Sequence, residues 1–402
     1  MVYQKKQIIH TLLKKTGVLC YNYELKPLSP YHYIFLIMRG GGRIFTMFIP
    51  ILYCMSFLIS VVLIPLVIRL CRYEEWYDTV NSRKVHSGNV PRLGSIGFVV
   101  AFAVTAVVFY FVKEETSAKE ILPLIIAGLI IFLFGILDDF KDLSASFKLL
   151  VQILATVIMI CNGYRFKQIG SFNLHWLSYV FSFCWYIGVI NAFNLIDGVD
   201  ALCGGLSFFI LITLGIIYTV SASIEPATLC FILAVAILGF LVYNKPKAKI
   251  FMGDGGSQFL GFMIATLSLF PMRTTFEPNR FFAVFLLCSI PIFDTLAAIW
   301  RRKREHRPFF SPDKAHLHHK LINMGYSTSG ILVILYILQI GICCIALLGL
   351  WVYGLRGMII LLGGIGTMIM FFAVIHYTNR AVNKKNKLLT NGNVGEDSEL
   401  LD

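Results

Sequence analysis

Acidic and amide side chains follow two long apolar stretches of this 402-residue chain, 121–137 and 174–193. The first group is Asp138, Asp139 and Asp142, and the second is Asn191, Asn194, Asp197 and Asp200. Adjacent carboxylates repel each other unless a cation lies beside them, so Asp138 and Asp139 indicate a cation site in preference to ordinary helix-end residues. Three members of the second group share one side if the segment is helical, although such residues also occur in plain turns.

A glycine-rich segment follows a third apolar stretch, 227–243. Asn244 ends that stretch, and Phe251-Met252-Gly253-Asp254-Gly255-Gly256 opens the next one. Glycines permit close approach of the backbone, and the N-terminus of a helix attracts phosphate. The motif alone is compatible both with an anion site beside Asp254 and with a plain glycine-rich turn.

Histidines and arginines follow a fourth stretch, 281–299, in which Asp294 lies late. The residues are Arg301, Arg302, Lys303 and Arg304, then Asp313, His316, His318 and His319. A cation run after a membrane helix is usually a topology signal. Three histidines within four residues could suggest zinc, yet the oxygen-rich partners elsewhere favour a hard cation such as Mg²⁺. An anion-binding role is the better interpretation of the histidine segment.

The composition defines the environment of these groups. Apolar residues make up 57% of the chain, charged residues 14%, and the mean hydropathy is +0.75, whereas a soluble domain carries about 25% charged residues. A soluble enzyme, a disordered protein and a fibrous repeat are therefore excluded. The apolar runs are continuous instead of alternating, which argues against a β-barrel. We predict an all-α polytopic integral membrane protein.

About eleven apolar stretches approach the roughly 20 residues with which a helix crosses a bilayer. They are 44–68, 93–112, 121–137, 149–162, 174–193, 201–221, 227–243, 256–271, 281–299, 328–352 and 357–376. If the first helix runs inward, lysines and arginines of the cytoplasmic loops outnumber those of the outer loops threefold, as the positive-inside rule requires. The net charge of +13 therefore reports topology, no nucleic-acid partner is expected, and the C-terminus is predicted to be cytoplasmic.

This topology brings all of the polar groups above to the cytoplasmic face. An ion- or proton-coupled transporter would instead place its acids near the middle of the membrane. We therefore predict an enzyme with its active site on the cytoplasmic face, and a lipid or ion transporter without chemistry is the alternative.

Polar segments flank a membrane domain that we place at residues 44–376. Residues 1–43 form a basic extension that this topology leaves outside, and a start at Met38 or Met47 is the favoured alternative to a genuine extension. Residues 377–402 are predicted to form a polar, disordered cytoplasmic tail.

Four ordered motifs resemble those of the polyprenyl-phosphate N-acetylhexosaminyl-1-phosphate transferases, which form glycosyltransferase family 4. They are Asp138-Asp139-Phe140-Lys141-Asp142, Asn191-Ala192-Phe193-Asn194-Leu195-Ile196-Asp197-Gly198-Val199-Asp200, Phe251-Met252-Gly253-Asp254-Gly255-Gly256-Ser257 and Ser311-Pro312-Asp313-Lys314-Ala315-His316-Leu317-His318-His319. The resemblance covers about residues 44–380.

Within this family, the sequence resembles the WecA/TagO-like branch. Arg83-Lys84-Val85-His86 and Val90-Pro91-Arg92-Leu93-Gly94 are similar to a cytoplasmic loop of that branch, although Ser95 stands where a second glycine is usual. The MraY branch carries a Thr-Pro-Thr-Met-Gly-Gly stretch and a Pro-Leu-His-His-His run, and both are absent from this sequence.

The resemblance implies an enzyme of the bacterial cytoplasmic (inner) membrane. It would transfer N-acetylglucosamine-1-phosphate, or a related HexNAc-1-phosphate, from a UDP-sugar to undecaprenyl phosphate and release UMP. The product would initiate a cell-envelope polysaccharide such as O-antigen or teichoic acid. Mg²⁺ is the implied cofactor with Mn²⁺ as an alternative, a homodimer is left open, and an MraY-like transfer from UDP-MurNAc-pentapeptide is the alternative reaction.

The resemblance also implies roles for individual residues. Asp254 and Asn194 would hold the metal. The catalytic set would be Asp138, Asp139, Asp254, His318 and His319. The substrate-binding set would be Asp197, Asp200, Asn244, Phe251, His86, Arg92, His316, Arg301 and Arg302.

Overall fold

The computed structural model describes most of the chain. The described ranges are 43–77, 90–112, 118–141, 143–169, 171–270, 277–308, 316–352 and 354–396. The predicted site residue His86, the motif residues Asp142 and Asp313, and nearly all of the predicted N-terminal extension lie outside these ranges.

Helices make up nearly all of the described structure. The first seven are α1 Arg43–Tyr73, α2 Ser95–Val112, α3 Ala118–Lys141, α4 Ala145–Cys161, α5 Leu177–Ile196, α6 Leu202–Val220 and α7 Ile224–Asn244. The other six are α8 Asp254–Ser268, α9 Glu277–Leu287, α10 Ser289–Arg304, α11 Leu317–Asn323, α12 Thr328–Val352 and α13 Gly354–Glu396. Two short strands, β1 Gln168–Ile169 and β2 Phe172–Asn173, pair antiparallel between α4 and α5.

Each of the eleven apolar stretches coincides with a helix or with a bent helix pair. Within the described ranges, eight helices are long and apolar enough to cross a membrane, and the pair α9–α10 is a ninth if its two parts, bent by 76°, form one span. The remaining two stretches are the shorter helices α4 and α8. The prediction of an all-α polytopic membrane protein is confirmed, whereas the count of eleven crossings stays a prediction.

The end of the chain differs from the prediction. Helix α13 continues beyond its apolar part as far as Glu396, so most of the segment predicted to be disordered is helical. A composition rich in lysine and asparagine predicts exposure, but it does not prevent an existing helix from continuing.

Helix α8 lies at the centre of the bundle, against α3 and α5. Every residue from Gly255 to Ser268 is buried. Small residues permit this packing: a Cβ on Gly135 of α3 would lie 2.4 Å from the Cα of Gly255, and one on Gly261 would lie 2.8 Å from the Cα of Ile190. Close approach of backbones through glycine is the usual way in which membrane helices pack.

Charged side chains of opposite sign hold the two ends of α8. Asp139 of α3 accepts backbone N–H groups at its N-terminus. At its C-terminus, Arg280 of α9 donates Nε to the carbonyl of Ser268 (2.8 Å) and Nη2 to that of Phe270 (2.5 Å). This arrangement matches the helix macrodipole, which is positive at the N-terminus and negative at the C-terminus.

Gly135→Ala is expected to destabilise the protein because the added methyl group forces α3 away from α8. Overpacking of this kind costs roughly 1–3 kcal/mol, and a thermal melt in detergent measures it. Gly128→Ala on the same helix is the control, since its nearest neighbour, Phe259, lies 3.4 Å from the added carbon. Equal melting temperatures for the two variants would contradict the close packing.

Candidate active site

Asp139 positions the N-terminus of α8. Its carboxylate accepts the N–H of Asp254 (2.8 Å) and the N–H of Gly255 (3.2 Å). Gly253 precedes the helix with φ +78°, and a Cβ there would lie 2.5 Å from Oδ2 of Asp139, so only glycine fits. We therefore assign Asp139 a structural contact in addition to the predicted catalytic role, which remains a prediction.

The N–H groups of this turn bear on the alternative that the sequence left open, between an anion site at the helix N-terminus and a plain glycine-rich turn. Those of Asp254 and Gly255 donate to Asp139, and those of Gly256 and Ser257 donate to the carbonyl of Gly253 at 3.1 Å. The first four donors of α8 are thus already used within the protein. The side chains around the turn, and not its backbone, are left to bind an anion.

Lys148 joins one aspartate of the first motif to one of the third. Its Nζ contacts Oδ2 of Asp138 and lies 3.1 Å from Oδ2 of Asp254. Asp138 is buried, and its other oxygen accepts the N–H of Leu143 (2.8 Å). The ammonium group therefore stands between two carboxylates from different helices.

Lys148 belongs to none of the sequence motifs and was not predicted as a site residue. A signal was available, because Lys148 lies in the first turn of α4, where the helix dipole disfavours a positive charge. A cation there needs a nearby acid, and the acids of α3 precede it by only a few residues.

Asn194 of α5 contacts α8 at Ser257, one helical turn beyond Asp254. Its Nδ2 donates to Oγ of Ser257 (3.0 Å), and that hydroxyl donates to the carbonyl of Gly253 (3.2 Å). The bond uses the nitrogen end of the amide, which leaves the oxygen end as a ligand of the kind that Mg²⁺ prefers. Ser257 thus connects Asn194 to the first turn of α8, which Asp254 begins, and their predicted role as metal ligands remains a prediction.

Asp197 ends α5 beside the same carboxylates. Burial, together with the charges of Asp254 and Asp139, raises the pKa of Asp197 to about 8. Each further ionisation in such a cluster costs more than the last, so a bound cation favours the fully ionised state.

Residues 316–319 of the fourth motif, which we call the histidine loop, form the start of α11. They pack directly on the turn after Asp197. A Cβ on Gly198 would lie 2.4 Å from Cε1 of His318, so the missing side chain makes room for that ring. The rings of His318 and His319 lie 4.2 Å apart between centroids. The predicted meeting of the second and fourth motifs therefore occurs in the structure.

Burial lowers the pKa of His318 to about 3, and the neighbouring His319 adds to the effect. His318 is thus neutral at pH 7. Any part that it has in stabilising phosphate charge is that of a hydrogen-bond donor and not of a cation.

Asp294 anchors this loop, and its role was not assigned from the sequence. The Asp294 carboxylate lies 2.8 Å from Nδ1 of His316 and accepts the N–H of Leu317 (2.8 Å). It is only 1% exposed. Its late position in an apolar stretch was the available signal, because a buried carboxylate needs a specific partner.

Asp294→Asn is expected to lower kcat/KM by about 10–100-fold, because a buried pair that loses its charged partner costs roughly 1–3 kcal/mol and the histidine loop then shifts. Steady-state kinetics would measure this. Glu305→Gln, just beyond the end of α10, is the control, since Glu305 is exposed and pairs with the exposed Arg307 at 3.2 Å. Unchanged kinetics for Asp294→Asn would contradict the anchoring role.

Asn244 and Asp200 hold the loop between α7 and α8. Asn244 accepts the N–H of Ala201 and donates to the carbonyl of Ile250, both at 2.8 Å, and Asp200 accepts the N–H of Ala248 at 3.1 Å. Both side chains are 5% exposed. The structure gives them a positioning role, and their predicted contact with substrate remains a prediction.

Arg92 and Phe251 are brought together by backbone pairing. Phe251 donates its N–H to the carbonyl of Pro91 (2.7 Å), and its own carbonyl accepts the N–H of Gly94 (2.9 Å). Arg92 therefore lies beside the turn at Gly253. Its positive charge lowers the pKa of Asp197 and so opposes the rise caused by burial and by the neighbouring carboxylates. The other predicted arginines, Arg301 and Arg302, are buried at the end of α10.

A chain of buried amides runs beneath the carboxylates and was not anticipated. Gln152 of α4 donates to Gln258 of α8 (3.1 Å) and accepts from Asn191 of α5 (2.8 Å). Uniformly apolar helices give no sequence signal for which side chains will meet. These bonds fix the rotation of three helices around the site.

The donor set fits Mg²⁺ better than zinc. In the described part of the chain, no group of three His, Cys, Asp or Glu residues could hold a metal by itself. Mg²⁺ usually binds one or two carboxylates together with substrate phosphates and water. Asp254 and Asn194, with Asp138 close by, offer oxygen donors of this kind, and the predicted Mg²⁺ site remains a prediction.

The fold and this cluster define a polytopic membrane protein with an acidic site at the ends of its helices. Residues 121–271 match the model of glycosyl transferase family 4. A relative from Bacillus subtilis (strain 168), named "Probable undecaprenyl-phosphate N-acetylglucosaminyl 1-phosphate transferase", is 32% identical over 72% of this chain and 82% of its own length. The chain belongs to glycosyl transferase family 4, as its motifs predicted.

Other relatives have similar names. "Undecaprenyl-phosphate alpha-N-acetylglucosaminyl 1-phosphate transferase" of Escherichia coli (strain K12) is 29% identical over 62% of this chain and 70% of its own length. "Decaprenyl-phosphate N-acetylglucosaminephosphotransferase" of Mycobacterium tuberculosis (strain CDC 1551 / Oshkosh) is 30% identical over 63% and 71%.

Proposed function

We propose that this protein transfers N-acetylglucosamine-1-phosphate from UDP-N-acetylglucosamine to undecaprenyl phosphate in the bacterial cytoplasmic membrane and releases UMP. The names of the relatives support the donor and the acceptor. The observation that carries the proposal is the meeting of Asp138, Lys148 and Asp254, with Asn194 beside them, at the ends of four membrane-domain helices.

The reaction requires anions to approach each other. An oxygen of the lipid phosphate attacks the phosphorus that carries the sugar, the bond to the bridging oxygen breaks, and UMP departs with that oxygen. Catalysis of phosphoryl transfer consists mainly of positioning and charge neutralisation. Bound Mg²⁺ would supply positive charge to the diphosphate, and Asp254 and Asn194 would hold it.

The chain's own residues supply the rest. Lys148 offers a cation 3.1 Å from the carboxylate of Asp254, and it would neutralise charge on the phosphates that bind there. Asp139 fixes the turn that carries Asp254, and Asp294 fixes the loop that carries His318 and His319. The two histidines would donate hydrogen bonds to the diphosphate.

The test is UMP release by the purified protein with undecaprenyl phosphate and Mg²⁺. We expect release with UDP-N-acetylglucosamine and no release when EDTA removes the metal. Parallel reactions contain UDP-N-acetylgalactosamine or UDP-MurNAc-pentapeptide, so they separate a related donor and an MraY-like reaction. Absence of UMP with every donor would favour a transporter without chemistry.

A further inference from the structure

A cationic cleft lies between α10, α11 and α13, and neither histidine of the site, His318 or His319, lines it. It has a volume of about 430 Å³. Four lining residues are cations, Arg301, Arg304, Lys320 and Arg380, and none of the described lining residues is acidic. A cleft walled by one sign of charge concentrates ions of the other sign. Its volume lies in the range of small-ligand sites, roughly 300–1,000 Å³.

Helix α13 contributes a polar stripe to this cleft. His376, Asn379, Arg380 and Asn383 are spaced three, four and seven residues from the first, so they share one face of the helix. Asn323 of α11 donates to Oδ1 of Asn379 (2.8 Å) and to Oδ1 of Asn383 (2.9 Å). These bonds use the side-chain oxygens of Asn379 and Asn383. The NH₂ groups of the same two amides can therefore donate to an acceptor such as a phosphate oxygen.

The position of the cleft distinguishes a lipid from a soluble ligand. It lies where α13, a candidate membrane span through Lys385, becomes polar. Just before the stripe, Ile369, Met370 and Val374 are 54%, 67% and 56% exposed, as side chains facing acyl chains would be. The charge distribution predicts this end to be cytoplasmic, and the cytoplasmic leaflet carries anionic lipids that basic pockets between helices bind.

We propose that this cleft binds the phosphate headgroup of an anionic phospholipid. Lys320 shares α11 with His318 and His319, and Arg301 shares α10 with Asp294. A bound headgroup would therefore link α11, which carries the two histidines, to α10, which carries their anchor Asp294. The lipid is distinct from the acceptor substrate. Its effect on turnover rests on the proposed function, whereas its binding does not.

The test uses the full-length protein in phosphatidylcholine nanodiscs, with and without phosphatidylglycerol, in the absence of any nucleotide sugar. Arg304→Gln/Arg380→Gln removes two cations of the cleft. Lys303→Gln/Lys384→Gln removes two exposed cations from the same helices that do not line it. Native mass spectrometry measures retained phosphatidylglycerol, and a thermal melt measures stabilisation.

Each cation that contacts the headgroup contributes roughly a fivefold gain in affinity for an anionic lipid. We expect the cleft variant to bind phosphatidylglycerol on the order of 20-fold more weakly than the wild type and to lose its stabilisation, while the control variant keeps both. Equal retention by the two variants would overturn the proposal. Millimolar inorganic phosphate is also added to the wild type in phosphatidylcholine alone. If it stabilised the protein as much as phosphatidylglycerol does, the lipid assignment would be overturned.

The single variants Arg380→Gln and Lys384→Gln repeat the comparison if the double variant does not assemble, with an expected difference of about fivefold. A protein that releases no UMP but still loses phosphatidylglycerol binding on Arg380→Gln would refute the proposed function and support the lipid site.

Discussion

Asp254→Asn is expected to lower the rate of UMP release by about 10²–10³-fold, the usual cost of losing one electrostatic contact to a transition state. The substitution preserves size and much of the hydrogen bonding but removes the negative charge that a hard cation needs. It also removes the charge partner that lies 3.1 Å from Lys148. Rates measured across a Mg²⁺ titration, with Mn²⁺ binding followed by electron paramagnetic resonance, would show weakened metal affinity.

The control for Asp254→Asn is Glu74→Gln, an equal change of charge at an exposed position after α1. A role limited to balancing charge would pair Asp254 with Lys245, Lys247 and Lys249, the lysines that precede it in the sequence. In the structure its contact is Lys148. A variant with the wild-type rate and the wild-type Mg²⁺ dependence would remove the metal from the proposed mechanism.

Lys148→Met is expected to lower the rate by about 10²-fold while metal affinity is maintained or increases. The loss of rate follows because a cation next to the reacting phosphates disappears. Metal affinity does not fall, because Asp138 and Asp254 lose their shared ammonium group and attract a divalent cation more strongly. The same Mg²⁺ titration and Mn²⁺ binding measurement separates this variant from Asp254→Asn.

Lys141→Met is the matched control, since Lys141 is exposed at the end of α3. Lys148→Arg keeps the charge and should retain part of the rate. If Lys148→Met weakened Mn²⁺ binding as strongly as Asp254→Asn does, Lys148 would support the metal site and would not act on the substrate.

The sequence predicted which segments meet. Successive membrane helices run in opposite directions, so the polar residues that follow every second helix lie on one face of the bilayer. On that basis the motifs around Asp139, Asn194 and Asp254 were expected together, and the structure brings them together. The helical class followed from composition alone. Composition did not predict that helix α13 continues into the polar C-terminal segment.

The individual partners could not be predicted, because they depend on how each helix is rotated about its axis. An amphipathic helix reveals its inner face by the period of its apolar residues, but α8 is buried on all sides and has no such pattern. The pairing of Lys148 with Asp138, and of Asp294 with His316, is therefore visible only once the helices are packed.

The charged side chains at both ends of α8 have a consequence for biogenesis. With 15 residues, α8 is only about 22 Å long, shorter than the roughly 30 Å hydrocarbon core. Its terminal backbone groups must find partners within the protein, and those partners lie on α3, made earlier, and on α9, made later. A nascent chain released before Arg280 would leave the carbonyls at the end of α8 without that partner. Helix α8 is thus held at both ends only after synthesis has passed Asn194 and Asp254, the predicted metal ligands, and reached Arg280.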